Sequence, residues 1–318
     1  MKEKESYRRL CGERADIPLY TQAWWLDAAC GSAERWEVLL YREKGQLRAA
    51  MPLYCPLPRL VSMPPYTQTM GPWFAPEPSD LKPSARLARR QTALSYFIDT
   101  LRPCRSFLQN FSHAVTDWLP FYWAGYRQTT RYTYLLHGLC PERWDDLSPN
   151  IRRNIRRAEK AGIEVRRGLS AEALLRLQGL SFARQGKSPK HEGCLMRLIA
   201  AARQREQGDI WGAFDTEGRL HAAAFIAWQG DTAYYIAGGG DPALRDSGAH
   251  SLVLWTAILA LGEHVRTFDF EGSMLPGVER FFREFGAIQT PYFSISKGKL
   301  SLAERLRIHL RNRREGLA

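Results

Sequence analysis

A change of hydrophobic period within residues 266–286 constrains the fold of this chain more than any other feature. Polar and apolar residues alternate over 266–271, as they do in a strand with one buried face. After Pro276 the apolar residues fall at helical spacing, and Gly286 is a typical residue for a helix C-cap. The segment is therefore predicted to be a strand, an elbow and a short helix.

The predicted strand carries two carboxylates on one face and runs into a hydroxyl. Asp269 and Glu271 alternate with the predicted core residues Phe268 and Phe270, and Ser273 follows in the elbow. Carboxylates in this position are suited to accept a proton or to hold a cation during a reaction. The alternative is that they only neutralise nearby arginines, because ion-pair networks also collect carboxylates.

A nearly all-apolar helix, predicted over 248–264, joins this strand to an earlier one at 232–238. Two strands joined by a helix are expected to be parallel neighbours in a right-handed crossover. Both strand ends and the helix N-terminus then lie at one edge of the sheet, where open α/β sheets bind ligands. The segment 245–251 lies there, and its arginine, free backbone N–H groups and helix dipole predict a phosphate-binding turn.

A basic helix is predicted to open the second half of the chain, with Ser148 as its N-cap. Five cations lie opposite its apolar stripe: Arg152, Arg153, Arg156, Arg157 and Lys160. Because only Glu159 offsets them within the helix, this face is predicted to bind an anion, with an ordinary solvated face as the alternative. Lys187, in a polar loop further on, is another candidate phosphate contact.

The pattern of residues 1–140 predicts a separate unit of helices and hairpins. The pattern of residues 301–318 predicts a terminal basic amphipathic helix. Tyr66 and Trp73 lie in a proline-rich connection that either faces a substrate or packs as a rigid connector. The leucine stripe of the terminal helix is expected to pack onto the body. The basic residues of its other face would favour an anionic surface.

Composition bounds the class of protein. The net charge of +12 over 318 residues favours a polyanionic partner such as nucleotide phosphates, RNA or an anionic membrane. Scattered cysteines and histidines predict no metal site. Because no apolar run reaches about 18 residues and the start lacks a signal core, a cytoplasmic protein without a transmembrane segment is expected.

The order of predicted elements resembles the GNAT acyltransferase fold, an α+β arrangement. The stretches 148–162 and 268–286 look like the GNAT-like domains of the FemAB/CelD-type group, which is related to the Fem aminoacyl transferases of bacterial peptidoglycan synthesis. The resemblance implies two GNAT-like domains in tandem. Residues 1–140 would form a degenerate domain and 141–300 the acyltransferase domain.

This resemblance also implies an N-acyltransferase that moves an acyl group from acyl-CoA, such as acetyl-CoA, to a small-molecule or peptide amine. GNAT enzymes bind the pyrophosphate at a Q/R-x-x-G-x-G/A turn; here Arg245 and Gly248 are kept, but His250 stands where Gly or Ala is usual. Fem relatives use aminoacyl-tRNA instead, which makes tRNA an alternative partner. A non-catalytic module that holds RNA or an anionic membrane is a further alternative.

Specific residues are expected to carry the reaction. The predicted proton acceptors are Asp269 and Glu271, with His250 in reserve, and N–H groups near 237–239 would meet the oxyanion. The predicted donor site consists of Ala237, Gly238, Gly239, Arg245, Ser247, Gly248, Ala249 and Ser251. The predicted substrate contacts are Arg152, Arg153, Arg156, Lys187, Tyr66, Trp73 and Ser273.

Overall fold

A computed structural model describes residues 2–184 and 186–314. The chain divides into two compact units, which are built from residues 1–131 with 291–318 and from residues 132–290. The compact units change at 131/132 and at 290/291 along the sequence. The predicted domain boundary near residue 140 stays a prediction. The second unit is thus a continuous run of chain set within the first.

The first unit combines helices with a sheet in the order β1-β2-β3-β5-β12, with β4 paired to β2. Its helices are α1 (Lys2–Glu13), α2 (Ala23–Cys30), α3 (Pro83–Leu101), α4 (Leu119–Trp123) and α10 (Leu302–Arg314). Its strands are β1 (Trp36–Glu43), β2 (Gln46–Leu57), β3 (Leu60–Ser62), β4 (Trp73–Phe74) and β5 (Ser106–Asn110). Two strands pass between the units, β6 (Arg127–His137) and β12 (Ile288–Lys297).

The second unit has a sheet in the order β6-β11-β10-β9-β8-β7. Its further strands are β7 (Glu164–Arg167), β8 (Gly208–Phe214), β9 (Leu220–Gln229), β10 (Thr232–Gly240) and β11 (Thr267–Asp269). Its helices are α5 (Pro149–Lys160), α6 (Ala171–Ala183), α7 (Glu192–Gln204), α8 (Ala249–Leu261) and α9 (Pro276–Arg283). The predicted crossover is confirmed, because β10 and β11 pair in parallel and α8 connects them.

The two faces of this sheet pack against different helices. On one face Phe268 and Phe270 share a core with residues of α5, α8 and α9. The other face receives α6, which comes so close that a Cβ on Gly239 would lie 2.6 Å from the Gln178 amide nitrogen. The direction in which a strand residue points therefore determines which helices its side chain contacts.

Helix α5 matches its sequence pattern. The Ser148 hydroxyl accepts a hydrogen bond from the Ile151 amide at 3.2 Å, which makes it the predicted N-cap. Ile151, Ile155 and Ala158 are buried. The opposite side is the predicted basic face, with Arg153 among its exposed residues.

Helix α10 corrects one expectation, since its leucine stripe does not pack onto the body. Leu302, Leu306 and Leu310 are 84%, 58% and 48% exposed. The helix is attached through polar groups on another side, where Glu304 pairs with Arg105 at 3.1 Å. An amphipathic pattern shows that one side is apolar, but the same pattern arises whether or not another part of the chain covers it.

Candidate active site

A cavity of about 410 Å³ lies at the carboxyl end of β10 in the second unit. Gly238, Gly239 and Gly240 form its floor at the end of the strand, and the first turn of α8 forms one wall. Phe281 and Phe282 of α9 line another side. The cavity is thus at the strand edge where the crossover predicted a ligand site.

A tyrosine and a histidine are hydrogen-bonded in this cavity. The Tyr235 hydroxyl lies 3.1 Å from Nε2 of His250, and both residues line the cavity. Burial raises the pKa of Tyr235, so the phenol remains protonated. Burial also lowers the pKa of His250 to about 4, although a hydrogen bond to the backbone of Gly239 acts in the opposite direction. When the neutral imidazole carries its proton on Nδ1, Nε2 accepts the hydrogen bond from the phenol.

The Tyr235–His250 pair fits beside a glycine and packs against aromatic rings. A Cβ on Gly238 would lie 1.9 Å from the Tyr235 hydroxyl, so the phenol occupies space that any other residue would fill. The ring of Tyr235 also packs edge-on against Phe282, with 5.9 Å between centroids. Phe281 lies 5.5 Å from the imidazole of His250. The pair is therefore held from the strand side and from α9.

Strands β10 and β11 separate beside the pair. Their register ends at the pairing of Tyr234 with Asp269, whereas β10 continues to Gly240. On its other side β10 is irregular between Tyr235 and Ala237, where its register with β9 shifts. Beyond Tyr234, β10 therefore continues to Gly240 without β11 as its neighbour.

The predicted donor site is assembled in part. The cavity is lined by Gly238, Gly239, Arg245, Ser247 and Ala249. Among the residues described at its surface, Ala237, Gly248 and Ser251 do not appear, and Ser251 is 2% exposed. Gly248 serves instead for close packing, because a Cβ there would lie 2.2 Å from the Asn154 carbonyl oxygen of α5.

The amide groups of the predicted phosphate turn are partly used within the turn itself. The Ala249 amide donates to the Ser247 hydroxyl at 3.3 Å, and the Ser251 amide donates to the Gly248 carbonyl at 3.1 Å. Positive charge at the cavity comes from two exposed guanidinium groups, those of Arg245 and Arg184. Arg184 was not among the predicted residues.

A second histidine lines the cavity from β9. His221 is 7% exposed, and its Nε2 lies 3.0 Å from Oδ2 of Asp215. This hydrogen bond, together with those from Arg219, keeps the pKa of Asp215 below its usual value. Nearby, Ser181 of α6 bonds to both backbone groups of Gly240 at 3.0 Å. Asp215 and Ser181 therefore fix the groups at this end of the cavity.

The two predicted carboxylates lie apart from the Tyr235–His250 pair. Asp269 is 3% exposed and accepts hydrogen bonds from the Thr133 hydroxyl and, at 2.8 Å, from the Glu271 amide. Alternation along β11 turns it to the face opposite Phe268 and Phe270, while Tyr235 packs with Phe282 on the phenylalanine side. Among the described residues that line the cavity, neither carboxylate is found.

Both carboxylates are nonetheless perturbed by burial. Desolvation raises the pKa of Asp269 to about 6 and that of Glu271 well above its usual value. Glu271 has a positive φ of 65°, and within the described chain its buried Oε1 accepts no hydrogen bond. Ser273 accepts a hydrogen bond from the Leu275 amide at 3.1 Å, which organises the elbow before α9.

The predicted substrate contacts fall in several places. Lys187 is exposed in the loop after α6. Arg152 lies 4.0 Å from Asp145, Arg153 bonds to the Asn150 side chain, and Arg156 lies over the Trp144 ring. In the first unit, Tyr66 is half-buried with a φ of 52°. Trp73 is 6% exposed in the core and donates a hydrogen bond to Asp16 at 3.1 Å. Of the two roles considered for it in the sequence, this contact fits packing.

Sequence reasoning missed Tyr235, Arg184 and His221. Tyr235 precedes a glycine by three residues on a strand, and this spacing is meaningful only when the strand bulge is known. His221 and Asp215 are six residues apart across a hairpin turn, a local pairing that the antiparallel meander could have suggested.

Residues 2–184 and 186–314 contain neither a metal-binding cluster nor a membrane-spanning helix. Across these ranges no cluster of three histidine, cysteine, aspartate or glutamate side chains is arranged to hold a metal ion. No helix in the same ranges has the length and apolar character needed to cross a membrane.

The chain resembles proteins of known fold. Residues 146–283 match the family described as "Acetyltransferase (GNAT) domain". A search of curated protein sequences gives no match. The crystal structure of FemX is 13% identical, with a TM-score of 0.64, over 91% of this chain and 95% of FemX.

Two further structures share the fold. One is the C-terminal domain of a protein named as a lysylphosphatidylglycerol synthetase from Agrobacterium fabrum, at 11% identity and a TM-score of 0.56 over 97% of this chain and 95% of that one. The other is L-PGS from Bacillus licheniformis, at 12% identity and a TM-score of 0.51 over 89% and 90%. The resemblance stated from the sequence is confirmed: residues 146–283 match the GNAT acetyltransferase domain family, and the chain shares the fold of FemX.

Proposed function

We propose that this chain is an N-acyltransferase that moves an acyl group from acyl-CoA to an amine. The observation that carries the proposal is the Tyr235–His250 pair in a cavity at the separation of β10 and β11, within a GNAT domain. Acyl transfer to an amine needs one group that takes a proton and one that gives a proton. A neutral imidazole and a protonated phenol 3.1 Å apart supply both.

In the proposed reaction, the amine nitrogen forms a bond to the thioester carbonyl carbon, and the bond from that carbon to sulfur breaks. His250 takes the proton that the amine loses, and the Tyr235 hydroxyl gives its proton to the leaving sulfur. The imidazolium then returns a proton to the phenolate, so that the net transfer is from nitrogen to sulfur. A pKa near 4 means that His250 is unprotonated at neutral pH, so Nε2 has a free lone pair to take a proton.

The donor's phosphate groups would be held by the exposed guanidinium groups of Arg184 and Arg245 at the rim of the cavity. The thioester would then extend toward the open side of β10. Phe281, Phe282 and Val278 offer apolar surface along that route, which suits the acyl group and the chain that carries it.

The proposal is tested by the turnover of Y235F and H250Q with acetyl-CoA and a panel of primary amines, followed by release of free thiol. We expect each variant to lose about 10²-fold or more in turnover, because a positioned proton donor or acceptor contributes about that much. The matched control is Y234F, since Tyr234 is buried next to Tyr235 and does not line the cavity among the described residues. Y235F with wild-type turnover would overturn the assignment.

The same assay tests the predicted role of the carboxylates. If Asp269 and Glu271 hold or deprotonate the amine, D269N/E271Q should lower turnover well beyond its effect on the unfolding temperature. A fully active double variant would remove both residues from the mechanism and leave the Tyr235–His250 pair in place.

A second candidate is Fem-type transfer from aminoacyl-tRNA to a cell-wall or peptide amine. The observation that favours it is the basic face of α5, on which Arg153, Arg156 and Arg157 are exposed and contact neutral side chains. In this case tRNA, rather than CoA, would bind the chain.

A further inference from the structure

One edge of the first unit combines exposed apolar side chains with cations. Four connections meet there: the turn from β2 to β3, the turn from α3 to β5, the turn after α4 and the segment between β12 and α10. The Arg105 amide donates to the Arg59 carbonyl at 2.9 Å, which joins the first two connections. Lys297 donates to the Ala124 carbonyl at 3.2 Å, which joins the other two.

Helix α10 lies along this edge with its apolar stripe uncovered. The Arg105–Glu304 pair and a 2.9 Å hydrogen bond from Arg311 to the Pro56 carbonyl attach it to the body. Leu302, Leu306 and Leu310 project from another side and are 84%, 58% and 48% exposed. At 100° per residue these leucines occupy an arc of about 80°, and Arg305 and Arg307 lie on either side of it.

Aromatic side chains and further cations extend the surface beyond α10. Tyr122 and Trp123 of α4 are 60% and 65% exposed, close to the point where Lys297 contacts the chain. The exposed cations of the edge are Arg59, Arg102, Arg105, Lys297, Lys299, Arg305 and Arg307. Two carboxylates bonded to these cations are Glu304, which pairs with Arg105, and Asp99, which pairs with Arg102.

We propose that this edge, here called the α10 edge and consisting of these cations, the three leucines, Tyr122 and Trp123, binds the surface of an anionic lipid bilayer. A leucine stripe flanked by arginines matches an interface in which apolar side chains enter the acyl boundary while guanidinium groups contact phosphates. Tryptophan and tyrosine are suited to the same depth. The excess of cations makes the surface complementary to lipid of negative charge.

A bilayer fits these observations better than a nucleic acid or a second copy of the chain. A nucleic acid would use the cations but leave three exposed leucines in water. A second copy would bring the same cations against one another, which costs electrostatic energy. A bilayer satisfies both the apolar stripe and the charge. The inference is independent of the proposed acyl transfer, because it uses only residues of the first unit.

The test is cosedimentation of the full chain with vesicles of phosphatidylglycerol and phosphatidylcholine at a ratio of about 3 to 7, compared with pure phosphatidylcholine. We expect binding to the anionic vesicles to exceed binding to the neutral ones by about tenfold or more, and to fall at about 0.5 M salt. The variant L302S/L306S/L310S should lose most of this binding at low salt, since the bound leucines supply the apolar part.

The matched control is L87S/M196S/I288S, which removes three exposed apolar side chains outside the α10 edge and should bind as the wild type does. Unfolding temperatures of both variants show that the fold is kept. Wild-type binding by L302S/L306S/L310S would overturn the proposal. So would equal binding to both kinds of vesicle, or a dimer in solution that this variant converts to monomer, because a second copy would then cover the stripe.

Discussion

Two groups of the second unit, the half-buried His250 and the buried Asp269, have pKa values displaced in opposite directions. His250 has its pKa lowered from 6.5 to about 4, and Asp269 has its pKa raised from 3.8 to about 6. Desolvation is the leading cause for both, because it disfavours the charged form of either group. Between about pH 4 and pH 6.5 the imidazole of His250 is neutral, whereas an ordinary histidine would be charged. The carboxyl group of Asp269 keeps its proton to a higher pH than an ordinary aspartate does.

These displacements predict opposite contributions to stability. Between about pH 4 and pH 6.5 the unfolded chain binds more protons at His250, so this residue adds stability as pH rises. Between about pH 3.8 and pH 6 the folded chain binds more protons at Asp269, so that residue removes stability as pH rises. Each contribution to the free energy of unfolding amounts to about 3 kcal/mol across its window.

We therefore expect the free energies of unfolding of H250Q and D269N, each taken relative to the wild type, to change with pH in opposite directions. From pH 7 to about pH 4, H250Q should gain relative stability, because it lacks a histidine that must stay neutral. Over the same range D269N should lose relative stability, because the wild type regains its protonated carboxyl group. Urea unfolding at both pH values measures the differences, and the same sign for both variants would contradict the assignment.

At the scale of single elements, the glycines at the end of β10 allow other groups to approach the strand closely. Its glycines allow Tyr235 to reach His250 on one face and α6 to approach on the other. A Cβ at Gly238 would meet the Tyr235 hydroxyl, and one at Gly239 would meet the α6 backbone at 2.6 Å. Two neighbouring glycines thus have different roles, one beside the Tyr235–His250 pair and one in the packing of α6.

Alanine substitutions should separate these roles. G238A is expected to displace the phenol and lower turnover by about 10²-fold while the unfolding temperature changes little. G239A should cost about 1–3 kcal/mol in the free energy of unfolding, since a helix backbone must move. G240A is the control, because its nearest neighbour would be the His221 carbonyl oxygen at 3.4 Å. Equal loss of stability in G238A and G239A would argue against the distinction.

The basic face of α5 gives a prediction for the second candidate function. If tRNA binds there, R153Q/R156Q/R157Q should weaken tRNA binding and reduce the slope of log affinity against log salt by roughly 2–3. The control is R9Q/K44Q/R127Q, which removes the same charge from exposed positions of the first unit. Filter binding at several salt concentrations measures both. Equal loss in the two variants would assign the binding to net charge, and undetectable tRNA binding at low salt would remove the candidate.

Much of the second unit could be predicted from periodicity. The N-cap of α5, its buried stripe and the parallel pair joined by α8 follow from spacing alone, because local sequence determines them. Strand β11 was predicted to reach Glu271 but ends at Asp269, where the chain leaves the sheet beside the separation from β10. The Tyr235–His250 pair depends on register and on an absent Cβ, and sequence pattern records neither.

At the scale of the whole molecule, the excess of positive charge is distributed over surfaces of different character. Arg184 and Arg245 line a cavity, the cations of α5 form a helical face, and those of the α10 edge surround uncovered leucines. Net charge of +12 alone predicted an anionic partner without distinguishing these surfaces. We propose a different anionic partner for each surface from its geometry: the phosphates of an acyl donor for the cavity, RNA for the α5 face and a bilayer for the α10 edge.

The interruption of the first unit by residues 132–290 also affects the order in which the protein can be completed. Residues 291–297 of β12 supply the strand that pairs with β5, with Ser294 opposite Asn110. A growing chain produces residue 131 roughly 10–30 s before it reaches that strand, at ordinary rates of synthesis. During this interval the second unit can form, whereas the edge of β5 that later pairs with β12 is unpaired. The ribosome therefore finishes the inserted unit before it finishes the unit that surrounds it in sequence.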